Sequence, residues 1–108
     1  MQQYAACDCA KLAKSPLFAS IEMTQNTAFM KAVEAAQVGR WDEAHEIVQN
    51  SGHPVARWIH AVLHKIEGDA WNSRYWYDKT ERRYEDYADP QQELTAIAAY
   101  LRENNTAG

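Results

Sequence analysis

The sequence predicts an all-α fold, with five or six helices in antiparallel hairpins forming a single domain. Three observations lead there. Apolar residues recur at three- and four-residue spacing in several stretches, and no stretch alternates apolar and polar residues as a half-buried strand would. The chain also holds 18 Ala but only 4 Gly and 3 Pro in 108 residues, a composition that favours helix and confines the breakers to a few points.

Taken in order, Tyr4–Lys14 is Ala- and Lys-rich and suits a short helix that stops before Ser15-Pro16. Leu17-Phe18 and Ile21–Met23 then bring apolar residues to an otherwise irregular N-terminal segment, residues 1–25. The first long helix is expected over Thr27–Val38, capped by Asn26 or Thr27, with Phe29, Val33 and Ala36 on one face and Gly39 as its stop. A second helix begins near Trp41 with Asp42 and Glu43 in its first turn, where carboxylates suit the helix dipole, and ends at Asn50-Ser51-Gly52.

Pro54 opens a third helix over 54–67, Pro being suited to a first helical turn, with Val55, Ile59, Val62, Leu63 and Ile66 as its apolar stripe. A fourth helix is expected over Ala70–Arg82. Asp89-Pro90 starts the last, over 90–103, with Leu94, Ile97 and Leu101 facing inward; Asp89 is its cap, since Glu93 lies one residue too far for a capping box. Residues 27–52 and 54–84 thus form two hairpin units, and 90–103 a capping helix.

Charge and length narrow the function classes. Eleven Lys and Arg against fifteen Asp and Glu give a net charge of −4, which argues against nucleic acid as a partner. No apolar run approaches the roughly 18 residues of a membrane span, and the N-terminus lacks the basic start of a signal peptide, so a cytoplasmic protein is expected. A chain of this size buries about 65% of the surface its unfolded form exposes, enough for its own core.

The two hairpin units share a pattern. Val38-Gly39-Arg40-Trp41-Asp42-Glu43-Ala44-His45-Glu46-Ile47-Val48 aligns with Glu67-Gly68-Asp69-Ala70-Trp71-Asn72-Ser73-Arg74-Tyr75-Trp76-Tyr77, each a helix ending at Gly followed by a second helix. Ala44 and Ser73 are small where two antiparallel helices would approach, and bulky pairs follow. On these residues, and above all on Gly39-Arg40-Trp41-Asp42-Glu43-Ala44, residues 27–84 resemble the tetratricopeptide family of helical-repeat proteins. The resemblance implies a helical-hairpin interaction module. The 29-residue offset between Gly39 and Gly68 is shorter than that family's usual period near 34, and His60 and His64 stand where the family has Leu and Tyr. The block Trp58–Tyr77 also resembles a recurring block in small bacterial proteins of no assigned activity.

Three groups of residues can carry chemistry. His60, His64 and Glu67 fall within about 60° of arc on the third helix, so two imidazoles and a carboxylate could bind one divalent metal, with His45 and Glu46 of the preceding helix able to add a fourth ligand. The competing interpretation is structural: histidines at a helix boundary, hydrogen-bonded to neighbours such as Glu67, Asp69 or a Tyr hydroxyl. His60-Ala61-Val62-Leu63-His64 also lacks the Glu that marks a zinc-protease helix. Cys7-Asp8-Cys9 could hold a soft metal, but no later Cys completes such a set, and the two fit equally as small residues on a partly buried helix.

The third group is Trp71, Arg74, Tyr75, Trp76 and Tyr77. One aromatic face of this helix can pack inward, as core filling would require, and another stay near the surface, where Trp, Tyr and Arg suit a protein or peptide partner or a homodimer contact. No phosphate loop or nucleophile elbow is present, so the chain is expected to be a small interaction module, not an enzyme, with no cofactor required. A metal-binding protein or metal-dependent enzyme built on His60, His64, Glu67 and His45 is the alternative.

Overall fold

The computed structural model describes residues 21–107, and among them five α-helices and one 3₁₀ turn follow one another with no strand: α1 (Ile21–Gln37), α2 (Trp41–Val48), α3 (Pro54–Ile66), α4 (Ala70–Tyr77), the turn Tyr84–Asp86, and α5 (Pro90–Ala107). The segment expected as a helix at 4–14, Leu17-Phe18 and the Cys7/Cys9 pair lie outside the described residues.

The all-helical expectation holds, and α3 lies at its centre. Val55, Ala56, Trp58, Ile59 and every residue from His60 to His64 are buried, so α3 is covered almost all round. A helix at the surface would show one apolar stripe; one enclosed by neighbours loses its polar face. α4 packs on one side of it, α2 and α5 on others, and α1 bridges α2 and α5. Phe29, Val33 and Ala36 of α1 and Leu94, Ile97 and Leu101 of α5 enter the same core, as their spacing predicts. Ile66 is the exception on the α3 stripe: at the last turn it is partly exposed.

Both junction glycines stop their helices. Gly39 and Gly68 each have φ +87°, the left-handed conformation in which a side chain is strained. Beyond Gly68, Asp69 caps α4 by accepting the Asn72 backbone N–H, and Asp89 accepts from Gln91 ahead of α5. The cap of α3 is less expected: His53 accepts the Val55 N–H through Nδ1. The small residues foreseen at the junctions do lie at close approaches. Ala44 and Ser73 are fully buried, and the Ser73 hydroxyl donates to the Ala61 carbonyl of α3 at 2.6 Å.

Three helix limits differ from expectation, the simplest being α5, which runs on to Ala107 instead of ending at 103. α1 already runs at Ile21 instead of starting at Thr27, because Glu22, Met23 and Gln25 are good helix formers and no Gly or Pro interrupts them. α4 ends at Tyr77 instead of Arg82. There the Thr80 hydroxyl donates to the Tyr77 carbonyl and accepts the Arg82 N–H, closing the helix in a side-chain turn. Lys65 of α3 then anchors the following segment by donating to the carbonyls of Tyr84 and Tyr87.

Candidate metal centre

His60 and His64 are one turn apart on α3, so their rings project from the same face, stacked with centroids 4.9 Å apart. α2 lays His45 against them: its Nε2 is 3.1 Å from the His60 Nε2, one nitrogen donating and the other accepting, and its ring is edge-on to both partners. Each of the three offers a ring nitrogen within 4.8 Å of the other two. His60 and His64 are only 5% and 7% exposed, whereas His45 is half-buried and the most exposed of the three.

Two tryptophans hold the rings. Trp41 stacks on His45 at 4.7 Å and is pinned across the helix boundary by donating its indole N–H to the Leu63 carbonyl at 2.7 Å. Trp76 of α4 stacks on the outer face of His60 at 4.0 Å. His64 is fixed differently: its Nδ1–H donates to the Glu67 carboxylate at 2.6 Å, because an ionised carboxylate can only accept. In the neutral imidazole that bond selects the tautomer with the proton on Nδ1 and the lone pair on Nε2.

The environment disfavours charge on His60 and His45. Burial, and then the neighbouring His45 and His64, push the His60 imidazole down to about 3. His45 is lowered by burial and by His64, against the opposing pull of Glu67, Asp42 and Glu46. Neutral imidazoles are the ligand form, so no proton need leave His60 for a metal to bind at neutral pH. The His60 Nδ1 is buried without a hydrogen-bond partner among the described residues, a rare condition for a ring nitrogen.

Two of the carboxylates near the cluster, Glu67 and Asp69, hold hydrogen bonds of their own. Glu67, expected as a ligand beside His60 and His64, accepts the His64 Nδ1–H at 2.6 Å. Its oxygens do fall in a second compact group with His64 and Asp69. Asp69, however, spends both oxygens on Asn72, one on the backbone N–H and one on the side-chain amide. Glu46 is exposed and belongs to neither group.

The aromatic helix α4 divides in two. Tyr77 is 2% exposed, so it belongs to the core and not to the partner surface expected of it, while Trp76 lies half-buried over His60; at these positions the helix faces α3. Trp71, 75% exposed, stacks on Tyr75, 45% exposed, with centroids 6.0 Å apart, and Lys79 covers the Tyr75 ring. Arg74 is exposed but engaged, paired with Glu85 at 2.6 Å and lying over Tyr84.

The largest unforeseen feature is buried and polar. Glu93 of α5 is fully buried, receives the Trp58 indole N–H at 2.8 Å and the Tyr77 hydroxyl at 2.7 Å, and pairs with Lys65. Burial and this hydrogen bond raise the Tyr77 phenol well above its ordinary range. One sequence signal was present: Glu93 lies four residues before Ile97, on the inward stripe of its own helix.

No protein-family model matches the chain, and neither a curated protein nor a solved structure is significantly similar to it. No helix among the described residues is long and apolar enough to cross a membrane.

Proposed function

We propose that this protein binds a divalent transition metal of the zinc class through His45, His60 and His64. The observation that carries the proposal is the convergence of three imidazoles from two helices, each with a nitrogen within 4.8 Å of the others. Ligand nitrogens about 2.0–2.1 Å from one tetrahedral ion lie about 3.3 Å apart. The 3.1 Å between His45 and His60 is already near that edge length, and His64 offers a nitrogen within 4.8 Å of both. An all-nitrogen, neutral, partly desolvated set favours zinc, copper, nickel or cobalt over magnesium and calcium, which prefer oxygen ligands.

The test is elemental analysis of untagged protein purified without chelator, together with zinc titration by calorimetry. One equivalent bound by the parent, and loss of binding in a folded His45→Ala variant, would support the reading. A parent that neither retains metal nor binds added zinc would overturn it. His45 is the informative position because it is the most exposed of the three, so its replacement should leave the core intact.

A second reading rests on the exposed Trp71–Tyr75 stack, on a helix pair that we read as tetratricopeptide-like. A cytoplasmic interaction module would use these rings, with Arg74 beside them, to hold a protein or peptide partner or a second copy of the chain. Sedimentation equilibrium of the parent and of a Trp71→Ala, Tyr75→Ala variant tests the homodimer. A parent that stays monomeric at high concentration removes that version.

A further inference from the structure

Resting on the metal reading above, we infer that Glu67 is a positioning residue and not a ligand, and that an ion held by His45, His60 and His64 keeps one exchangeable position for water or a small anion. Among the described residues, Glu67 and Asp69 already have other roles, and Asp42, like Glu46, belongs to neither ligand-bearing group. The Glu67 carboxylate accepts from His64 Nδ1 at 2.6 Å, the Asp69 carboxylate caps α4 through Asn72, and Glu46 lies outside both ligand-bearing groups. Zinc-class ions prefer at least four ligands, and three protein ligands leave one place to an exogenous group.

The side on which that place opens follows from burial. His60 and His64 are enclosed by α3 and its neighbours, with Trp76 covering the outer face of His60, while His45 is the most exposed of the three. A small ligand therefore has access from the α2 side. Three neutral imidazoles leave the full charge of the dication uncompensated, and the negative Glu67 lies one imidazole away from it. The added ligand is accordingly a hydroxide, water or a small monovalent anion, not a cation or a bulky neutral molecule.

Cobalt(II) loading of the full chain reads all of this in one spectrum. The parent should bind one equivalent with the visible absorption of four-coordinate cobalt, and azide should shift that band saturably. Glu67→Gln, at a position exposed enough to keep the fold, should preserve the band shape while weakening cobalt affinity about 10–100-fold, the usual effect of losing a carboxylate that orients a ligating imidazole. A changed band shape in Glu67→Gln would make Glu67 a ligand and overturn the inference. So would a parent band indifferent to azide, or a sulfur-to-cobalt charge-transfer band showing that Cys7 or Cys9 fills the position. Failure of the folded parent to bind cobalt at all would instead sink the metal reading itself.

Discussion

The Lys65 ammonium of α3 lies 2.8 Å from the Glu93 carboxylate of α5, with 6% and 0% of the two side chains exposed. Lys65 spends its three donors on Glu93 and on the carbonyls of Tyr84 and Tyr87. Glu93 in turn accepts from Trp58 and Tyr77. Two charges that would be costly alone are thus satisfied together, and the segment between α4 and α5 is tied to the central helix.

Removing one partner strands the other. Glu93→Ala or Lys65→Ala should cost about 3–5 kcal/mol in urea denaturation, the range for an unpaired buried charge. The double variant Lys65→Met, Glu93→Leu should recover only part of that loss. The Tyr84 and Tyr87 carbonyls and the Trp58 and Tyr77 donors would still be without partners.

Stability should fall as the solution is acidified from about pH 6.5 toward pH 3. The folded-state value of His60 is about 3, below the ordinary 6.5, so between these limits the unfolded chain takes a proton that the folded chain refuses. The lowered value of His45 acts in the same direction. Above pH 6.5 both states are neutral at these rings and the effect vanishes. Denaturation midpoints measured with chelator present should show the slope, and His60→Phe, which keeps a ring between Trp76 and His64, should flatten it.

At the turns the backbone alone sets the cost. A Cβ at Gly39 or Gly68 meets nothing within 4 Å, yet both have φ +87°. Gly39→Ala and Gly68→Ala should therefore each destabilise by about 1–2 kcal/mol, with no local repacking visible by NMR. Gly68→Asn should cost less, Asn being the residue that best tolerates this conformation after Gly.

Ser73 reads the contact between α3 and α4. Ser73→Leu must force a larger side chain into a fully buried site and break the hydrogen bond to Ala61, so a loss of about 1–3 kcal/mol or more is expected from thermal unfolding. Trp71→Ala, on the exposed side of the same helix, should change stability by no more than about 0.5 kcal/mol. The contrast separates the two faces of α4.

Helical class, the two glycine stops, the Asp89 cap and the inward stripes of α1 and α5 were legible in the sequence, because each depends on spacing within one segment or on one residue's backbone preference. The pairing of His60 with His64 was legible for the same reason: they are one turn apart on one helix. What spacing could not supply was the packing of α2 against α3. That packing adds His45 to the pair, whereas the His64–Glu67 hydrogen bond lies within α3 and its C-terminal cap and was offered by spacing alone. Nor could it separate Trp71 and Tyr75 from Trp76 and Tyr77, since adjacent aromatic residues differ only in which side of α4 meets α3. The burial of Glu93 depends on Lys65, which is 28 residues from it along the chain. Local propensity acts over a few residues, so the sequence by itself determined which segments are helices and where glycine stops two of them. Tertiary packing decided which polar groups are buried together, because only a partner brought from elsewhere in the chain can offset their loss of water.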